Sequence, residues 1–156
     1  FAAANVIANF EPLWAQRSPV MTELTEPRLG PERSRWQYPI GSLLRSGAPI
    51  SFGSDWPVSS MVPMEGIEVA MTRQTPQAQP PAGWLPGERL TLDEAVAAYT
   101  RGTAYQAFDD DAGSLAEGAK ADLVLLRGDI AMMEPAALRG AEVVATWLEG
   151  VKVFER

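Results

Sequence analysis

The stretch Ala48-Pro49-Ile50-Ser51-Phe52-Gly53-Ser54-Asp55-Trp56-Pro57 decides how this chain is read. Its first half is a short apolar run, the pattern of a strand buried on both faces as parallel strands are. Upstream, residues 39–46 place Ile40, Leu43 and Leu44 on one helical face, with Pro39 early in the helix and Gly47 where a C-terminal cap belongs. Downstream, Met64, Ile67 and Met71 share one face of a helix expected over residues 63–74. A strand between two helices belongs to a parallel α/β sheet, where functional side chains gather just past the C-terminal ends of strands. Asp55 stands at such a point. A carboxylate there serves as a general base or a metal ligand. Aspartate is equally a common cap for the turn after a strand, and spacing alone leaves both readings open.

Toward the N-terminus, Asn5-Val6-Ile7-Ala8-Asn9-Phe10 has the same buried-strand character and ends at Glu11-Pro12, where proline has no N–H for a ladder. Glu11 reads as an exposed loop carboxylate. Trp14 reads either as core or as part of the mouth that Asp55 would share. Residues 15–35 hold three prolines, a glycine and mixed charges, and are expected to form a long loop. Toward the C-terminus, residues 75–88 read as a surface loop. Thr91-Leu92-Asp93-Glu94 is a capping box opening a helix to about residue 107. The acidic run Asp109-Asp110-Asp111 lacks the ligand alternation of a calcium loop and reads as a solvated helix end. Beyond it, glycines punctuate short apolar runs. Residues 122–126 read as a strand, and residues 143–148 and 151–154 as a hairpin turning at Glu149-Gly150. The change of character divides the chain into regions 1–112 and 113–156.

Composition narrows the function classes. The chain has 156 residues, 46% hydrophobic and 21% charged, which suits a packed globular core. A net charge of −7 argues against nucleic acid and against an anionic membrane surface. There is no cysteine and no histidine, so any metal held by this chain alone would need oxygen ligands only. No apolar run approaches the ~20 residues of a membrane span. The first residues lack the basic start of a signal peptide and have no initiator Met. They read as an entry in mid-sequence, and a cytoplasmic location is expected.

Taken in order, Asn9-Phe10-Glu11-Pro12-Leu13-Trp14-Ala15, Gly30-Pro31-Glu32-Arg33, Tyr38-Pro39, Ser42-Leu43-Leu44 and Phe52-Gly53-Ser54-Asp55-Trp56-Pro57-Val58 resemble the amidohydrolase superfamily. The likeness is to its family 3, the YtcJ-like metal-dependent hydrolases. Residues 90–95, with Tyr99, Thr100, Ala104 and Tyr105, are similar to that family's closing helix. Residues 113–118 and 120–124 are similar to its return into a small β-sandwich. The resemblance implies an α/β fold: the C-terminal part of a TIM (β/α)8 barrel, strands seven and eight with closing helices, followed by strands of a composite β-sandwich.

The resemblance also implies hydrolysis of non-peptide carbon–nitrogen (amide) bonds. Asp55 would be the catalytic proton acceptor from metal-bound water and a metal-facing residue, and Trp14, Ser54 and Trp56 would lie near the substrate. The cofactor implied is a divalent metal, zinc in the complete protein, with none expected on this chain alone. The family's histidine ligands are absent, and Trp14 stands where some relatives carry a histidine. The expectation is therefore an incomplete, inactive portion of a hydrolase of small amides, its partner the remainder of the same protein or a second copy. The alternative is a non-enzymatic, self-associating module.

Overall fold

The computed structural model describes residues 1–156. Two short strands, β1 (Ala8–Phe10) and β2 (Ile50–Phe52), pair in parallel with Ala8 opposite Ile50 and Phe10 opposite Phe52. The parallel expectation holds, but β1 is shorter than residues 5–10 and its Asn9 is exposed. With β2 its only neighbour, β1 keeps one edge open, and burial on both faces is reached only by β2.

The chain between the strands departs from the expected loop. Residues 15–35 are largely helical: a π-helical turn (Val20–Thr25) runs into α1 (Glu26–Ser34). The prolines do not break the helix here. Pro27 sits in the first turn, where its missing N–H costs nothing, and Pro31 follows a break at Gly30, whose φ of 73° only glycine takes readily. The helix α2 (Ile40–Arg45) lies inside the expected span. The Glu88 carboxylate accepts from the backbone N–H of Ser42 at 2.7 Å and from its hydroxyl, capping the start of α2.

The helix α3 (Pro63–Thr72) buries Met64, Ile67, Val69 and Ala70. The capping box at Thr91 forms as expected, with the Glu94 amide donating to Thr91 Oγ1 at 3.3 Å and the Thr91 amide donating to the Glu94 carboxylate at 2.7 Å. It opens α4 (Leu92–Ala97), which continues through a π-helical turn (Ala98–Gly102) into α5 (Thr103–Gln106). This last stretch runs along the outer edge of β2. The Pro49 carbonyl accepts from β1 at 2.9 Å, so alternation turns the Ile50 and Phe52 carbonyls outward. Thr103 Oγ1 donates to the Phe52 carbonyl at 3.1 Å, and Gly102 lies so close to the Ile50 carbonyl that a Cβ would strike it. An edge that would otherwise be open is covered by helix.

The C-terminal region is an antiparallel sheet of β3 (Leu123–Leu126), β4 (Val143–Leu148) and β5 (Val151–Glu155), in that order. The hairpin turns at Glu149-Gly150, both at positive φ. A 3-10 segment (Pro135–Gly140) carries the fully buried Leu138 into a core shared with Ile40, Val69, Ala70 and Ala95.

Candidate functional site

Because β1 and β2 run parallel, the residues that follow them emerge at one end of the sheet: Glu11, Pro12 and Trp14 after β1, and Gly53, Ser54 and Asp55 after β2. The Gly53 amide donates to the Phe10 carbonyl at 3.0 Å and keeps the two exits adjacent. A Cβ on Gly53 would sit 3.9 Å from Glu11 Oε1 and 4.0 Å from the Asn9 amide group. Glu11 therefore lies over the same end of the sheet rather than out in a loop, half-buried rather than exposed.

Asp55 has φ 50°, a left-handed conformation that aspartate tolerates better than most residues. The turn after it is closed by other atoms. Its own carbonyl accepts from Val58 N at 2.8 Å, Ser54 Oγ accepts from Trp56 N at 3.3 Å, and Ser59 Oγ donates to the Ser54 carbonyl. No side-chain hydrogen bond or ion pair involves the Asp55 carboxylate, which is exposed. The capping role left open by its spacing is thus filled without its side chain. Trp14 is half-buried and Trp56 is 63% exposed.

Below this end runs a polar row that sequence patterning did not single out. Asn9 Nδ2 donates to Glu11 Oε1 at 3.4 Å, Ser51 Oγ donates to Asn9 Oδ1 at 3.1 Å, and Ser51 also meets Gln106 Oε1. Paired positions 9 and 51 point to the same face of the sheet. The signal was present as the one polar residue inside each apolar run, but Gln106 could be placed there only by the fold. On the Phe52 side of β2, Tyr99 packs edge-on against that ring with centroids 5.2 Å apart. Burial pushes its hydroxyl well above the ordinary tyrosine range, and the Glu11 and Glu65 charges add to the rise. Burial and then Glu11 raise the Tyr38 hydroxyl in the same direction.

The residues present do not by themselves make a metal site. No group of three or more His, Cys, Asp or Glu side chains is gathered closely enough to hold an ion. No helix is long and apolar enough to cross a membrane.

Two parallel strands with a free aspartate just past their C-terminal end are the arrangement in which parallel α/β proteins carry functional residues. The chain belongs to the amidohydrolase family (Amidohydro_3), whose family profile matches residues 1–154. It is 32% identical over 130 residues to YtcJ of Bacillus subtilis (strain 168), covering 83% of this chain and 25% of that protein. It is 35% identical over 129 residues to Protein LONG AFTER FAR-RED 3 of Arabidopsis thaliana, covering 81% and 22%. It is 32% identical over 120 residues to the N-substituted formamide deformylase of Arthrobacter pascens, covering 76% and 22%.

Among solved structures, a metal-dependent hydrolase from Pyrococcus furiosus superposes with a TM-score of 0.58 at 26% identity over 73% of this chain and 22% of that one. An amidohydrolase from Thermotoga maritima MSB8 superposes with a TM-score of 0.62 at 22% identity, over 99% of this chain and 33% of that one, a likeness of fold. The chain spans about a quarter of the length of the curated relatives it matches.

Proposed function

We propose that this chain is the C-terminal part of a metal-dependent amidohydrolase that cleaves non-peptide amide bonds, and that Asp55 is its proton-accepting carboxylate. The observation that carries the reading is the Asp55 side chain. It is exposed, free of hydrogen bonds and ion pairs, and set by a left-handed backbone at the C-terminal end of one of two parallel strands. A carboxylate with no structural partner at that position is placed to accept a proton from an attacking water and return it to a departing amine. Trp14, Ser54 and Trp56 would flank the substrate.

In this reading β1 and β2 are strands seven and eight of a (β/α)8 barrel, and β3–β5 contribute to a β-sandwich. The ion would be zinc, with Asp55 facing it and the remaining ligands, which the histidine-free chain lacks, supplied from outside residues 1–156. The chain by itself is then inactive. The deformylase relative named above makes an N-acyl amine a sensible first substrate to try.

The test compares acetamide-type hydrolysis, with zinc added, by this chain and by the longest polypeptide that contains it, each with and without Asp55→Asn. Activity of the longer form alone, lost on D55N, is the expected result. Zinc-dependent turnover by the 156-residue chain, or full activity of the D55N form, would defeat the proposal. A second reading, a self-associating module, is favoured by the five exposed residues of β5. A concentration-dependent increase in mass during sedimentation would support it.

A further inference from the structure

Ser51 sits at the centre of β2, wholly buried and opposite Asn9 in the strand pairing. A hydroxyl that deep must be bonded, and it carries one proton. Its two neighbours are both amides: Asn9, with Oδ1 at 3.1 Å, and Gln106, at the end of α5. The bond from Thr103 Oγ1 to the Phe52 carbonyl holds α5 where Gln106 reaches Ser51.

The direction of this row is decided at its far end. Glu11 Oε1 accepts from Asn9 Nδ2 at 3.4 Å, and an ionised carboxylate can only accept. Asn9 therefore turns Nδ2 to Glu11 and Oδ1 to Ser51, and Ser51 gives its proton to Oδ1. Ser51 then needs a donor on its other side. The Gln106 amide supplies one only in the orientation that turns Nε2 rather than Oε1 toward Ser51, a half-turn of the amide plane. Every donor then points the same way: Gln106 to Ser51, Ser51 to Asn9, Asn9 to Glu11.

Glu11 lies over the strand end that carries Asp55. Its Oε1 is 3.9 Å from a Cβ placed on Gly53, and Asp55 follows two residues later, at most about 8 Å further along the chain. A carboxylate has room for about four donors, and in this chain Glu11 receives the one from Asn9. Resting on the hydrolase reading above, we infer that Glu11 accepts the N–H of a bound secondary amide, and that Gln106, Ser51 and Asn9 are the residues that position it. A fixed acceptor there holds the amide plane, and with it the carbonyl, in one orientation toward Asp55.

The test measures dissociation constants on the longest polypeptide that contains this chain, for N-benzylacetamide and for N-benzyl-N-methylacetamide, which has no N–H. Acetate release is followed in parallel. Glu11→Ala is expected to weaken the first compound at least about 10-fold and to leave the second unchanged. Gln106→Glu turns an acceptor toward Ser51 and is expected to weaken the first compound selectively as well. Gln106→Lys keeps a donor there and should leave both unchanged. Gln106 is exposed, so neither change crowds a core. Equal losses for the two amides, no saturable binding of either, or Gln106→Lys acting as Gln106→Glu does, overturns the inference. In the 156-residue chain, the Asn9 Nδ2–H proton resonance should shift in Glu11→Ala and in Gln106→Glu but not in Gln106→Lys. A resonance unmoved by Glu11→Ala would break the row at its end. The two readings fail separately. N–H-selective binding without acetate release removes the hydrolase reading and leaves this one. Acetate release with binding that Glu11→Ala does not alter removes this one and leaves hydrolysis.

Discussion

Arg139 grips Glu68 with both nitrogens of its fork, Nε to Oε2 at 2.7 Å and Nη2 to Oε1 at 2.8 Å, while its backbone N–H donates to Oε2 at 3.1 Å. Glu68 is 4% exposed on α3, and the three bonds fasten the 3-10 segment, with its buried Leu138, onto the helical half. Removing the guanidinium strands a buried carboxylate. Arg139→Ala is expected to cost about 2–3 kcal/mol, the low side for a broken buried pair because Arg139 itself is partly exposed. Urea denaturation checks this. A loss below about 0.5 kcal/mol would mean that the pair is no stronger than a surface contact.

Arg73 is fully buried with no carboxylate in contact, its charge satisfied by the carbonyls of Trp84, Tyr38 and Gln37 at 3.0, 3.1 and 3.4 Å and by the face of Trp84 at 5.2 Å. Burial pulls its pKa down to about 10. Arg73→Met keeps much of the stem and loses every bond of the fork, leaving the carbonyls unpaired. A loss of about 3 kcal/mol is expected, together with faster amide exchange at Leu90, whose N–H bonds the Ala70 carbonyl nearby at 3.0 Å. Unchanged exchange there would contradict a role for Arg73 in holding the 84–90 segment.

Asp55→Asn offers the contrast. The side chain it replaces makes no bond, and asparagine accepts the left-handed backbone. Thermal unfolding should move by less than about 0.5 kcal/mol equivalent. A large destabilisation would return Asp55 to a structural role.

Glu26 supplies the pH dependence. The Arg17 hydrogen bond, with help from the Trp84 indole N–H, holds its carboxyl below the ordinary 4.5 despite partial burial. The unfolded chain then binds this proton at a higher pH than the native chain does. The contribution is complete above 4.5 and fades as pH falls through the lowered native value. Because Arg17 is nearly half exposed, the gap between wild type and Glu26→Gln should stay under about 1 kcal/mol at neutral pH. It should close in acid, and a gap that widens in acid would reverse the assignment.

Gly66 is a packing test. A Cβ there would press on the Tyr99 hydroxyl and come within 3.0 Å of its Cζ and 3.1 Å of Pro12 Cγ. Gly66→Ala is expected to cost about 1–3 kcal/mol despite the better helix propensity of alanine. A more stable variant would show that Tyr99 moves freely.

Local signals carried much of this structure. The capping box at Thr91, the Pro63 start of α3, the 149–150 turn and the two apolar strands are each written in a few adjacent residues, because caps, turns and periodicity are short-range effects. Family membership was legible for the same reason, through ordered motifs along nearly the whole chain. The 20–34 helix is not legible from composition, because prolines ordinarily break helices and only their positions, one in a first turn and one after a glycine break, make them harmless. The sequence alone also placed Asp55 after a strand. It could not show that the carboxylate is free of a capping bond, that Glu11 lies over Gly53, or that Gln106 meets Ser51 across 55 residues. Those facts depend on which strand pairs with which and on the helix that closes over the β2 edge. Tertiary packing sets them, and no local pattern encodes it.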